Sequence, residues 1–350
     1  MNTVQTKGAQ QHIAAVNKKR RVDVLSSEKY NANIRKLVIL GVLVVIAVVL
    51  YMTVNVRFDN PKLFQYSMKI RAPKVVAMLV VAFCIGGASM VFQSVINNTI
   101  VTPCLLGMNS LYSLIHTSVV FLFGSSSLVA RNINISFAMD LILMATIATF
   151  IYSYLFKKTK YNVLYVLLIG TVLSSLFGSI QSTMIRVMDP NEYDALLATL
   201  VASFSKMNTE VIGFSIIIIV FIGFILRKDL ALLDVITLGK DQAINLGVDY
   251  DRTIRRLLLG VVLLIAIATA LVGPISFLGL IIANLSRQLL KTYRHKHLIL
   301  GSVLIGMLAL IGGQLIVEHV VVYAVPLSVF ITVSGGIYFL FLLLKQKRSV

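Results

Sequence analysis

Between Arg256 and Arg287 lie thirty residues, Leu257–Ser286, that carry no charge and are broken once, by Gly273-Pro274. A hydrocarbon core about 30 Å thick is crossed by roughly 20 helical residues. Thirty residues are too many for one straight span and suit two short ones. Proline cannot continue a helix and glycine accepts a turn. The spacing therefore predicts a hairpin that crosses, turns at Gly273-Pro274 and returns at Arg287. Ahead of it, Asp229–Arg256 is the largest charged loop between apolar stretches, and it contains a short helix-like run, Leu238–Gly247. In a chain that is mostly lipid-embedded, such a loop is where a soluble partner can grip.

Apolar runs of about 20 residues recur along the whole length. Hydrophobic residues make up 58 % and charged residues 13 %, against roughly 45–50 % and 25 % in soluble domains. The chain reads as an all-α polytopic membrane protein. The alternating strands of a membrane barrel are missing. Ten spans are expected, at 37–56, 75–96, 105–123, 136–156, 163–185, 209–226, 254–272, 275–290, 298–317 and 326–345. They form one transmembrane domain, 37–345, between a basic tail, 1–36, and a short C-terminal tail, 346–350. The first apolar run follows a long polar stretch and lacks a small-residue cleavage site, so it reads as an anchor and not a signal peptide.

The net charge of +18 fits a membrane protein whose Lys and Arg gather on the cytoplasmic side better than a nucleic-acid binder. Lys18-Lys19-Arg20-Arg21 belong to that pattern. With the N-terminus inside, three quarters of the Lys and Arg residues fall on inner segments, so both termini are expected in the cytoplasm. One outer segment departs from the rule: 57–74 carries Arg57, Lys62, Lys69, Arg71 and Lys74. Another, 186–208, holds Ala195–Val201, which is too short to cross and reads as an interfacial helix.

Enzyme constellations such as HExxH, GxSxG, the Walker A sequence and CxxC are not found, so the chain is expected to be a transport component and not an enzyme. Cys84 and Cys104 make neither a disulfide framework nor a metal site. His295-Lys296-His297 sits beside Arg294, and flanking cations disfavour a metal, so no metal site is expected. His116 reads as a hydrogen-bonded packing residue. Asp140 is the clear intramembrane carboxylate, and a single one argues against ion-coupled transport. Polar side chains are more telling. Gln93, Asn97 and Asn98 end the second span, and Ser174, Ser175, Ser179, Gln181, Ser182 and Thr183 stud the fifth. In lipid these face other helices or water. Interhelical hydrogen bonding and a translocation path bordered by Gln93, Asn97, Asn98, Ser175 and Ser182 are both open readings.

Several stretches together resemble the permease subunits of iron–siderophore ABC importers, the FecCD family, which includes the vitamin B12 permease. The strongest is Thr269-Ala270-x-x-Gly273-Pro274-Ile275-x-Phe277-x-Gly279-Leu280-Ile281, ending with Arg287. The family's Pro-His is Ala283-Asn284 here. Ala243-x-x-Leu246-Gly247 matches its cytoplasmic coupling region. Arg71-x-Pro73-Lys74 matches an Arg-x-Pro-Arg signature with Lys in the last place. Gln93…Asn98-x-x-x-x-Pro103-x-Leu105-x-Gly107 matches the stretch after span two, with Asn98-Thr99-Ile100-Val101 in place of Asn-Pro-Leu-Ala. Pro326 and Gly335-Gly336 match the last span loosely. The resemblance covers residues 37–345. The departures look like those of a subgroup associated with catecholate siderophores.

The resemblance implies a ten-helix, type II ABC importer permease in the bacterial cytoplasmic membrane that moves an intact ferric siderophore. Vitamin B12 or haem cargo, or an ion-coupled carrier, are the rival readings. Implied partners are a second permease, identical or not, two cytoplasmic ATPase subunits and an extracytoplasmic siderophore-binding protein. ATP is expected on the ATPase, and no cofactor is expected on this chain. The loop 229–250 would couple to the ATPase through Leu238, Gly239, Asp241, Ala243, Leu246 and Gly247. Ala243 and Leu246, three apart, are expected to share an apolar contact face. Arg71 and Lys74 would meet carboxylates of the binding protein. A third family arginine, near the outer end of span nine, has no counterpart, since Val317-Glu318-His319 stands there. Pro103, Gly107, Gly273, Pro274, Gly279 and Arg287 carry the structural motifs.

Overall fold

The computed structural model describes residues 30–56, 59–128, 132–159, 163–204, 207–322 and 325–347. Most of the basic tail with Lys18–Arg21, Arg57, residues 323 and 324 and the last three residues lie outside the described residues. The elements, in chain order, are α1 (Tyr30–Thr53), α2 (Pro61–Ile96), a 3₁₀ turn (Pro103–Leu106), α3 (Met108–Phe123), α4 (Ile133–Lys158) and α5 (Val163–Val187). There follow α6 (Pro190–Leu200), α7 (Thr209–Ala231), α8 (Leu233–Ile236), α9 (Lys240–Asn245), α10 (Tyr250–Val272), α11 (Leu278–Leu290), α12 (His295–His319) and α13 (Leu327–Lys347). Among the described residues, seven helices are long and apolar enough to cross a bilayer, and the shorter apolar helices α3, α11 and α13 complete the ten expected. The expected interfacial helix is α6. Asp189 caps it, accepting from the amide of Asn191, and Pro190 opens it.

The bundle is built around α2, which packs against α10, α11 and α12. Its apolar window is 78 % buried, against 11 % for α5. Association in lipid rests on close packing and hydrogen bonds and not on hydrophobic drive, and α2 carries the small residues Gly86-Gly87-Ala88-Ser89 for it. Ser302 of α12 donates to the carbonyl of Gly86 at 2.7 Å. A Cβ at Gly279 of α11 would fall 2.0 Å from Ser89 Oγ. No side chain fits there, so this motif glycine sets how near α11 lies to α2.

The hairpin turns where expected. Gly273 sits at φ +91°, and a Cβ there would be 3.0 Å from the Cα of Ala202, in the strand-like segment after α6. Ser203 N donates to Val272 O at 2.9 Å, which locks the turn to that segment. The returning helix α11 has only 13 residues.

One expectation is corrected. The basic outer segment 57–74 is not a connecting loop, because α2 starts at Pro61 and runs unbroken through Pro73 for 36 residues. Asn60 caps it, accepting from Lys62 N at 3.0 Å. At 1.5 Å per residue the helix is about 54 Å long, longer than the hydrocarbon core by about 20 Å. Residues 61–70 carry the excess and are mostly exposed, while burial sets in from Lys74.

Candidate functional site

At the end the charge distribution assigns to the cytoplasm, α8 and α9 form a compact ledge. Gly239 and Gly247, both at positive φ, make the turns on either side of α9, as the sequence pattern implied. Ala243 does not share a face with Leu246. It is fully buried, and the apolar residues left open are Leu238, Ile244 and Leu246, the last 63 % exposed. The ring of backbone bonds explains this. Ala243 O accepts from Val248 N at 3.0 Å, which folds the exit turn back over Ala243 and swings Leu246 outward. Asp241 is exposed. Lys240 Nζ reaches both carboxylate oxygens of Asp251, the second residue of α10, at 3.1 Å.

A second tie was not legible from sequence. Asp234 Oδ1 accepts from both the backbone amide (2.8 Å) and Nδ1 (2.5 Å) of His295, the first residue of α12. His295 is buried. Its side chain joins the ledge to α12, so any displacement of α8 is passed to a helix that packs on α2. Asp229 and Arg256 stand 3.9 Å apart and bring the end of α7 to α10 in the same way.

Beside the ledge is a pocket of about 200 Å³, lined by Gln93, Asn97, Asn98, Arg287, Tyr293 and His295 among others. Gln93 Nε2 and Asn284 Nδ2 both donate to Thr99 O at 2.8 Å. Asn97 ends α2 in the left-handed conformation, and Asn98 Oδ1 accepts from Ile100 N. Arg287 Nη2 donates to Ser94 Oγ at 3.0 Å, so the motif arginine of α11 holds the last turn of α2. Asn284, where the family pattern has histidine, shares that task. Pro103 opens the 3₁₀ turn, whose last carbonyl, Leu106 O, takes the hydroxyl proton of Tyr152. Gly107 then starts α3.

Ser175 and Ser182 are elsewhere. Both lie on the exposed face of α5, together with Ser179 and Thr183. Ser175, Ser179 and Thr183 each donate to the carbonyl four residues back, at 2.9–3.1 Å. Their protons are thereby satisfied locally, and oxygen lone pairs stay on an otherwise apolar surface. The expected path residues thus fall into two groups: Gln93 with Asn97 and Asn98 around a partly open pocket beside the ledge, and the α5 hydroxyls on an exposed helix face.

At the opposite end, Arg71 and Lys74 are engaged within the chain. Arg71 Nη1 donates to the carbonyls of Tyr51 and Val54 at 2.7 Å each. It thereby satisfies acceptors at the C-terminus of α1, where a cation also complements the helix dipole. Lys74 is buried and 3.1 Å from Glu318, and the two side chains are 9 % and 6 % exposed. Tyr51 Oη (2.8 Å) and Gln314 Nε2 (2.9 Å) donate to the same carboxylate oxygen. Glu318 stands where the resemblance leads one to expect arginine, and it draws Lys74 inward. Among the described residues of this segment, the exposed cations are Lys62 and Lys69.

Asp140 is not alone either. His116 Nδ1 is 2.7 Å from Asp140 Oδ2, and its Nε2 is 2.9 Å from Thr199 Oγ1 of α6. The Thr199 hydroxyl also donates to Leu196 O at 2.7 Å. The packing role expected of His116 is that of a tie between α3, α4 and the interfacial helix.

The bundle of ten apolar helices, with a helical ledge at one end, has the fold of a type II ABC importer permease. This chain belongs to the FecCD transport family, whose model matches residues 36–345. It is 42 % identical over 286 residues to the petrobactin import system permease protein YclO of Bacillus subtilis (strain 168), covering 82 % of this chain and 91 % of that one. It is 34 % identical over 292 residues to the petrobactin import system permease protein FatC of Bacillus anthracis, covering 83 % and 82 %. Among solved structures, an ABC transporter assigned to the metal-chelate type, in an inward-facing conformation, matches with a TM-score of 0.76 at 23 % identity over 89 % of this chain and 99 % of that chain. That match supports the fold.

Proposed function

We propose that this chain is the membrane-spanning subunit of an importer for an intact ferric siderophore, with petrobactin or a close analogue as cargo. The observation that carries the reading is the 42 % identity to a petrobactin import permease along most of both chains. Iron enters inside its chelator, so the permease needs no metal-ligand cluster of its own. The driving ATP is bound and hydrolysed by two ATPase subunits in the cytoplasm. They seat on the ledge through Leu238, Ile244 and Leu246, and Gly239, Asp241 and Gly247 shape that seat. The exposed hydroxyl face of α5, with Ser175 and Ser182, faces the path shared with a second permease, while Gln93, Asn97 and Asn98 guard its inner end. An extracytoplasmic binding protein delivers cargo at the other end, where Lys62 and Lys69 are the open cations. Both termini lie in the cytoplasm of a bacterial cell membrane.

The test is uptake by liposomes holding the complete importer. Iron-55 carried by petrobactin should accumulate only with ATP inside and the binding protein outside. Uptake of vitamin B12 or haem in preference, or uptake by this chain without an ATPase, would overturn the proposal.

A further inference from the structure

A groove of about 1270 Å³ runs between α4 and α10, and its walls are sorted by chemistry along its length. At the mouth stand Lys157, Lys240, Arg252 and Arg255, with the one carboxylate of the lining, Asp251, among them. Further in come Tyr154 and Phe150, then Thr149, Ala145 and Leu259. On α4 the lining recurs at 145, 149, 153 and 157, a single stripe about 18 Å long at 1.5 Å per residue. Lys157 belongs to the C-terminus of α4 and Arg252 and Arg255 to the N-terminus of α10, antiparallel neighbours whose charged ends meet beside the ledge, and Lys240 is the first residue of α9. Lys240 is held by Asp251. Among the described residues no ion pair engages Lys157, Arg252 or Arg255. Phe150 and Tyr154 are 77 % and 65 % exposed, so the groove opens away from the bundle, toward lipid.

A soluble anion would satisfy the mouth and leave the aromatic length empty. An apolar chain would fill the length and leave the cations unmatched. An amphiphile with an anionic head and an acyl tail matches both, at the depth where each belongs. Basic clefts between spans on the cytoplasmic side hold lipid head groups for this reason. We propose that the α4–α10 groove binds one anionic phospholipid of the inner leaflet. Its phosphate lies against Lys157, Arg252 and Arg255, and an acyl chain lies along Tyr154, Phe150 and Ala145. Since α10 continues from the ledge into the Gly273-Pro274 hairpin, the lipid braces the helix that carries motion away from the ATPase. The inference rests on the chain spanning a membrane and is independent of the cargo.

The chain contains no tryptophan, so Phe150→Trp installs a single tryptophan in the groove, whose emission can be excited apart from that of the tyrosines. In vesicles of phosphatidylcholine, acyl-brominated phosphatidylglycerol at a few mole per cent should quench it several-fold more than brominated phosphatidylcholine at the same level. Adding Lys157→Gln, Arg252→Gln and Arg255→Gln should abolish that preference, so that the two brominated lipids quench equally, while Lys291→Gln with Lys296→Gln should leave it within twofold. Inorganic phosphate at 10 mM should not restore the emission. Equal quenching by the two lipids in Phe150→Trp itself would overturn the proposal whatever the triple variant does. Relief by phosphate would assign the cations to a soluble anion. Relief on adding the ATPase subunits or a second permease would assign the groove to a protein partner. Ferric-petrobactin uptake is a separate readout, so loss of one leaves the other standing.

Discussion

The two ends of the bundle use charge and apolar surface in opposite ways. At the α2 N-terminal end, the cations that sequence marks most strongly, Arg71 and Lys74, are consumed inside the molecule by Tyr51, Val54 and Glu318. At the ledge, charge is also tied up, in Asp234–His295 and Lys240–Asp251, but Leu238, Ile244 and Leu246 are left open. A charge that sequence places outside the apolar spans is therefore weak evidence for docking, because a neighbouring helix often needs it. An apolar side chain held open on a turn with glycine at both ends has no such internal use.

The sharpest way to break this comparison is Glu318→Ala. Removing one member of a buried pair costs about 3–5 kcal/mol, so the purified permease should unfold at a clearly lower temperature. Lys74→Met with Glu318→Leu should recover much of the loss. An unchanged unfolding temperature in the single variant would mean that Lys74 is not an internal residue, and the docking role would return to it.

Arg71→Met comes next. It strips a charged donor from two carbonyls at the end of α1, with hydrogen bonds to charged groups worth about 1.5–3 kcal/mol. Hydrogen exchange should rise in residues 50–54 and not in α9. Exchange that stays at the wild-type level there would show that the cap is dispensable.

The ledge should split by face. Ala243→Glu forces bulk and a charge into a filled site, and overpacking alone costs about 1–3 kcal/mol, so α9 should loosen even without the ATPase. Leu246→Glu and Ile244→Glu are surface changes, within about 0.5 kcal/mol for the permease alone. They should nevertheless lower ATPase co-purification by about fivefold or more, as expected of interface residues worth more than about 1 kcal/mol. If Ala243→Glu leaves exchange in α9 untouched while releasing the ATPase, the contact face is the one expected from spacing.

The smallest effect is expected at Lys62 and Lys69. Exposed ion pairs contribute about 0.2–1 kcal/mol each, so reversing both to Glu should weaken binding-protein affinity several-fold at low salt, and the difference should fade at high salt. Identical affinities at low salt would remove this segment from the docking surface.

Legible along the chain were the ten apolar helices, the hairpin at Gly273-Pro274, the glycines on both sides of α9 and the family. Each of these is local. Hydropathy over twenty residues, a residue without Cβ and a ring without N–H act on the chain where they stand. The continuous helix through Pro73 was missed because its basic first turns read as a loop, although Asn60 and Pro61 are a legible cap. Only the tertiary structure decided which groups are used up inside. Lys74 and Glu318 are 244 residues apart and Asp234 and His295 are 61 apart, and no period or spacing relates them. Whether a charge or a small apolar residue faces a partner or a neighbouring helix depends on which surfaces the bundle brings together. The free energy of an unpaired buried charge or an overfilled contact is set there, and Ala243, read from spacing as a contact for another subunit, is a core residue for that reason.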